Sequence, residues 1–260
     1  MMATRHSGTS PVSAEARALL DAAATLRDAM NALRFAPPVA HVYNPLDYAW
    51  AGHAAYLSRF GAGPKKILFL GMNPGPFGMM QTGVPFGEIP AVRDWMGIEE
   101  DIGQPANQHP KRQIDGFSCK RSEVSGRRLW GWIARRWGTP EAFFAQAMVI
   151  NYCPLVFLEQ SGKNRTPVQL PAAEQRAIEQ HCDLHLARVI DILRPQWLIG
   201  VGGFAEKRLK HVAQHVLEDS ALARSLHIGQ ILHPSPASPA ANRGWDEAVE
   251  RQMQAYGLLD

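Results

Sequence analysis

The chain has 260 residues, enough for one sizeable core and within the span that a single α/β domain fills. Hydrophobic residues make up 46% and charged residues 20%, which excludes a largely disordered, fibrous or collagen-like chain. Lys and Arg number 27 against 24 Asp and Glu, so the formal charge of +3 names no polyanionic partner by itself.

In chain order, residues 1–12 read as a loose tail, and a helical pattern runs from Ser13 to about Leu33, ending before Pro37-Pro38. Residues 1–40 are therefore expected to be an addition to one domain spanning 41–260. A second amphipathic helix is expected from Leu46 to Ser58, then a turn at Gly61 to Pro64, then the apolar run Ile67 to Leu70, which reads as a buried strand. Three more apolar runs follow at Ala147 to Ile150, Trp197 to Val201 and His227 to Leu232, separated by helical stretches near 122–137, 140–146, 172–193 and 204–217. Strands interleaved with helices predict an α/β fold with a four-stranded parallel sheet covered on both faces. The weakly patterned segment from Pro85 to Ser118 is expected to be a long loop of the functional or mobile kind.

Cys119, Cys153 and Cys182 are odd in number and widely spaced, which suits neither a disulfide framework nor a Cys-x-x-Cys metal site and points to a reducing compartment. No apolar stretch approaches the ~18 residues of a membrane span, and Glu15, Arg17, Asp21, Arg27 and Asp28 interrupt the first 30 residues, unlike a secretory leader. The expected location is the cytoplasm (the nucleoid in a bacterium), with no membrane partner.

In an open α/β sheet ligands bind outside the carboxyl ends of the strands. After the first run comes Gly71-Met-Asn73-Pro74-Gly75-Pro76, after the second Asn151-Tyr-Cys-Pro154, after the third Gly202-Gly203, and after the fourth His233-Pro234-Ser235-Pro236. Two asparagines and one histidine are thus expected on one rim, although each alone is also ordinary turn chemistry. No Cys stands beside a base, and there is no Gly-x-Ser-x-Gly elbow, phosphate-binding Gly-x-x-x-x-Gly-Lys loop or His-Glu-x-x-His helix. That argues against acyl transfer, ATP use and a catalytic metal, so no cofactor is expected. Neutral polar groups and one His can orient a water and stabilise a departing anion. Gly200-Val-Gly202-Gly-Phe-Ala205 matches a dinucleotide fingerprint, but the next strand ends in Leu232-His233 and not in an acid, so close helix-to-strand packing is the preferred account.

Between Lys111 and Arg136 eight basic residues face only Asp115 and Glu123. Arg121, Arg128 and Arg135 recur every seven residues, which on a continuous helix places them on one face, with Leu129, Trp130, Ile133 and Trp137 turned inward. Lys163, Arg165, Lys207, Arg208 and Arg243 come after later strands, so the rim carries cations suited to a phosphate backbone, although a solvated helix face explains part of the run equally well.

These strings resemble the single-strand-selective monofunctional uracil-DNA glycosylases. The residues that carry the resemblance are Gly71 to Met79, Gln81 to Gly87 and His233 to Pro236 through Asn242-Arg-Gly-Trp245, with Tyr43 to Trp50, Arg121 to Gly126 and Asn151 to Leu155 in support. It spans roughly residues 41–258 and leaves the first helix outside. It implies the uracil-DNA glycosylase fold and base-excision repair of uracil, and by extension of 5-substituted uracil, in single- and double-stranded DNA, leaving an abasic site; a monomer is expected. It also implies roles: Asn73 would position the water, His233 would face the uracil carbonyl on which charge develops, Asn151 would read the base edge and Phe86 would stack on it. Met72, Gly75 and Met79 would close the pocket. Arg121, Ser122, Ser125, Lys163, Pro234, Ser235, Pro236, Ala237, Ser238 and Arg243 would contact DNA. The family's loop carries an arginine where this chain has Ala237, so weaker action on duplexes is expected. A non-catalytic single-stranded DNA binder that keeps the fold is the alternative.

Overall fold

Seven strands form two sheets among residues 11–260, the part of the chain that the computed structural model describes. They are β1 (Val39–Tyr43), β2 (Ile67–Gly71), β3 (Ala147–Asn151), β4 (Val156–Glu159), β5 (Asn164–Arg165), β6 (Trp197–Val201) and β7 (His227–Ile231). The larger sheet is parallel in the order β3-β2-β6-β7 and flanked by helices, the architecture that the four apolar runs predict. β2 and β3 are buried at every position, as strands covered on both faces must be. In register, Gly71 stands opposite Asn151, Leu70 opposite Gly200, and Val201 opposite Ile231. The carboxyl ends of all four strands therefore finish level, and the loops that leave them share one rim.

The first helix, Ala14–Ala32, starts where the Ser13 hydroxyl accepts the Ala16 N–H at 3.1 Å. Of the tail expected over 1–12, the first ten positions lie outside the described residues. The helix packs against Ala172–Leu193 and Trp50–Phe60, and its Leu19, Ala23, Leu26 and Met30 belong to the same buried cluster as β2. It is thus built into the core, where the sequence reading made it an addition before residue 41. The expected 46–58 helix is two helices, Pro45–Tyr48 and Trp50–Phe60, broken at Ala49, whose φ of −106° and ψ of 28° leave the helical basin.

The second sheet, antiparallel in the order β1-β4-β5, has no counterpart in the sequence reading. β4 has four residues and β5 two, too few for any periodicity. The helix Trp245–Ala255, which packs against β7, was also missed. The 85–118 segment contains a π-helical turn at Ala91–Trp95 and a 3₁₀ turn at Gly116–Ser118. It is anchored by buried Ile89, Val92, Met96, Ile98 and Ile114. A Cβ on Gly200 would overlap the Glu206 backbone, so this glycine of the apparent dinucleotide fingerprint serves close strand-to-helix packing, whereas Gly202 faces His233. No described helix is long and apolar enough to cross a membrane.

Candidate active site

A cavity of about 320 Å³ opens at the level carboxyl ends of the parallel sheet. Met72, Asn73, Pro74 and Gly75 after β2 line one side, Asn151 at the end of β3 the floor, and His233 and Ser235 after β7 another side. Phe86, Glu123 and Ser125 come from the long loop and the start of the helix Val124–Trp137, Asn164 from β5 and Thr166 from the residue just after it. A void of about 30 Å³ lies behind Asn151 among Leu26, His53 and His185, too small for a base. The wider groove of about 700 Å³ beside β1 lies away from the strand ends where the polar groups converge.

Each convergent group has a defined orientation. Asn73 Nδ2 donates to the Leu155 carbonyl at 3.2 Å, which leaves its Oδ1 as the uncommitted end of the amide. Asn151 is 8% exposed, its Nδ2 donates to Met79 Sδ at 3.3 Å, and its Oδ1 is buried with no partner. A buried acceptor without a donor is costly, and a ligand N–H in the cavity would satisfy it. His233 Nδ1 accepts the Ser235 backbone N–H at 3.1 Å, so the neutral ring carries its proton on Nε2. Burial pushes the His233 pKa below its ordinary value, favouring that neutral form.

Local backbone geometry makes room for these side chains. Gly202, at φ +90°, lies under the His233 ring, where an added Cβ would stand 3.1 Å from His233 Cβ. A Cβ on Gly71 would collide with both Asn151 Oδ1 and the Phe86 ring. Phe86 itself has φ 53°, a left-handed conformation that costs a non-glycine residue of order 1–2 kcal/mol and is held only where the surroundings enforce it. Its ring centre lies 6.4 Å from that of His233, tilted by 47°.

Asn73, Asn151, His233, Phe86, Met72 and Gly75 are thus brought to one cavity, together with Ser125 and Ser235. Met79 is not on its wall; it is 2% exposed and supports Asn151 from behind. Glu123, Asn164 and Thr166 line the cavity without having been singled out as site residues. Glu123 Oε2 and Asn164 Oδ1 are buried without partners, and burial raises the Glu123 carboxyl above its usual range against the opposing N–H groups of Ser125 and Phe77. Glu123 lies inside the Arg121 to Gly126 string; nothing in the sequence marked Asn164.

The outer residues are more dispersed. Arg121 is exposed, its guanidinium 4.4 Å over the Phe77 ring, and Ser122 donates to Glu88 at 2.7 Å. Lys163 is exposed 3.8 Å from Glu159. Pro234 is buried, whereas Pro236, Ala237 and Arg243 are exposed, and Ser238 caps a helical turn by accepting the Ala241 N–H at 3.3 Å. The seven-residue stripe of arginines does not form one phosphate-facing row, because the helix begins at Val124 and excludes Arg121. Arg128 bonds the Pro234 carbonyl and Asn242, and Arg135 pairs with Asp246. Arg208 is likewise tied to Asp183 and Glu179. Among the described residues no three His, Cys, Asp or Glu side chains are grouped to hold a metal.

The uracil DNA glycosylase superfamily model matches residues 59–253. The single-strand selective monofunctional uracil-DNA glycosylase of Rattus norvegicus is 44% identical over 244 residues, covering 94% of this chain and 86% of the relative. That of Bos taurus is 44% identical over 234 residues, covering 90% and 84%. The 244-residue match takes in most of the first helix, which the resemblance read from motifs had left outside. A solved structure of SMUG2 from Pedobacter heparinus superposes with a TM-score of 0.61 over 91% of this chain and 97% of that one, at 17% identity, and shares the fold. Family match, relatives and fold agree: the chain belongs to the uracil DNA glycosylase superfamily.

Proposed function

We propose that the chain hydrolyses the N-glycosidic bond of uracil in DNA as a monofunctional glycosylase of base-excision repair, with Asn73, His233, Asn151 and Phe86 as its working residues. Asn73 Oδ1, left free by the bond from Nδ2 to Leu155, accepts a hydrogen of the attacking water and aims its oxygen at C1′. As the C1′–N1 bond breaks, its electron pair goes to the uracil ring, and the Nε2–H of His233 donates to the carbonyl on which that charge accumulates. Water oxygen ends on C1′, a proton is released, and uracil leaves with an abasic site behind. A neutral hydrogen-bond donor is sufficient, because the leaving anion is delocalised.

Asn151 matches the uracil edge with its amide, its unpartnered Oδ1 accepting the N3–H of the base. Cytosine has no hydrogen at N3 and would leave that acceptor unpaired, which disfavours it. Phe86 stacks on the base, and the base reaches the cavity only by flipping out of its strand. We further propose that the enzyme acts as a monomer in the cytoplasm on single- and double-stranded DNA, with preference for single strands, and accepts 5-substituted uracil. The observation that supports the reading is the Ser235-to-His233 hydrogen bond, which leaves the proton of the neutral ring on Nε2 in a residue that lines the same cavity as Asn73 and Asn151. The retained pair of Asn73 and His233 favours catalysis over a mere single-strand binder. The test is conversion of a uracil oligonucleotide to an alkali-cleavable product, with the matched cytosine oligonucleotide left intact; equal cleavage of the two would refute the pocket.

A further inference from the structure

Side chains from outside the loop that carries His233 hold three backbone atoms at its base, and a residue of its own far limb holds a fourth. Leu232 N–H donates to Gln252 Oε1 at 2.8 Å, and the Leu232 carbonyl accepts from Trp245 Nε1 at 2.7 Å. The Pro234 carbonyl accepts from Arg128 at 2.9 Å, and the Pro236 carbonyl accepts from Asn242 Nδ2 at 2.8 Å. The second terminal nitrogen of Arg128 donates to Asn242 Oδ1 at 2.9 Å. One planar guanidinium thus joins the residue after His233 directly, and joins the far limb of the loop through Asn242.

Two accounts of Arg128 compete. As a member of the basic run it would be a phosphate ligand. Its geometry says otherwise: both terminal nitrogens point at protein acceptors, and the side chain is half-buried between the helix Val124–Trp137 and the loop. A forked cation with two fixed acceptors is a clamp, and lysine, a point charge, cannot replace it.

We propose that Arg128, paired with Asn242, is a positioning residue for the glycosylase reaction: it locks the 233–242 loop so that His233 Nε2–H meets the departing base. This rests on the role given to His233 above. Misplacing an anion-stabilising donor by an ångström costs on the order of tenfold to a hundredfold in rate.

The experiment is single-turnover cleavage of a single-stranded uracil oligonucleotide at saturating enzyme, with affinity measured against salt, for wild type, Arg128→Ala, Arg128→Lys, Asn242→Ala and the Arg128→Ala/Asn242→Ala double variant. Folding is followed by thermal unfolding, and Asn242→Ala, at an exposed position, keeps the test open if an Arg128 variant is unstable. The clamp predicts that Arg128→Lys, with charge retained, falls about 10- to 50-fold in saturated rate. It also predicts that the double variant is within threefold of Arg128→Ala, the mark of one shared device. The salt slope of binding should be unchanged. A wild-type rate in Arg128→Lys overturns the proposal, as does an unchanged saturated rate in Arg128→Ala with a slope shallower by about 0.7, the loss of one phosphate contact. His233→Ala is the control: if it cleaves normally the reading of His233 fails, whereas if it is slow and Arg128→Lys is not, the clamp alone fails.

Discussion

His233 Nδ1 accepts a hydrogen bond from the backbone N–H of Ser235, two residues on, at 3.1 Å. The bond is available only while Nδ1 is unprotonated, so it selects the neutral tautomer with its hydrogen on Nε2. Burial acts in the same direction by pushing the pKa below 6.5.

That sign sets the expected pH profile. In the proposed mechanism the working form is neutral His233, so the acid limb of the single-turnover rate should be centred below 6.5. The measurement is the rate on a single-stranded uracil oligonucleotide between pH 8 and 4.5. An acid limb centred at or above 6.5 would contradict the assignment.

Phe86 offers a test of strain. At an ordinary position Ala is more stabilising than Gly, whereas at φ 53° the Cβ is the liability. Phe86→Gly should therefore be about 1 kcal/mol more stable than Phe86→Ala in urea unfolding, with both variants losing activity through the missing ring. Ala more stable than Gly would mean that the left-handed conformation carries no strain.

One buried histidine and one half-buried one contribute to acid stability. His53 and His185 are each pushed from 6.5 down to about 4, chiefly by burial, and His53 adds to the cost of charging His185. Such a group stabilises the fold above its unfolded pKa and loses that contribution as pH falls through the folded one. Unfolding free energy should drop between pH 6.5 and 4 by on the order of 3 kcal/mol for either ring taken alone. His185→Gln should flatten the drop; a stability independent of pH over that range would show that the rings are charged or solvated.

The outer turn of the His233 loop has Ala237 exposed, its N–H accepted by Ser235 Oγ at 3.1 Å. A methyl group fills a vacated base stack poorly, and flipping from a duplex costs a few kcal/mol that a single strand largely avoids. Ala237→Arg should raise duplex affinity and the duplex-to-single-strand ratio of single-turnover rates while leaving the single-strand rate within about threefold. An unchanged ratio would place the wedge elsewhere on the loop.

The parallel sheet was legible because each strand is a continuous apolar run between turn signals, and the level strand ends then put Asn73, Asn151 and His233 together. β5 was not legible, since two residues have no period, and with it Asn164 and Thr166 stayed hidden. The first helix shows an amphipathic pattern whichever partner it meets; only the packing of Leu19 and Leu26 reveals that it completes the core. Arg128 was misread for a related reason. A cation in a basic run looks solvated or phosphate-bound in sequence, and its acceptors lie 106 and 114 residues away.

The most direct test of the central claim is the single-turnover rate of uracil release from a single-stranded oligonucleotide by wild type, Asn73→Ala and His233→Ala, with folding checked by thermal unfolding. Both variants should remain folded and each should be slower by about 10²–10³, the scale for losing a water-positioning or anion-stabilising group. A rate within threefold of wild type for either one would contradict the account of this cavity as the place where the glycosidic bond breaks.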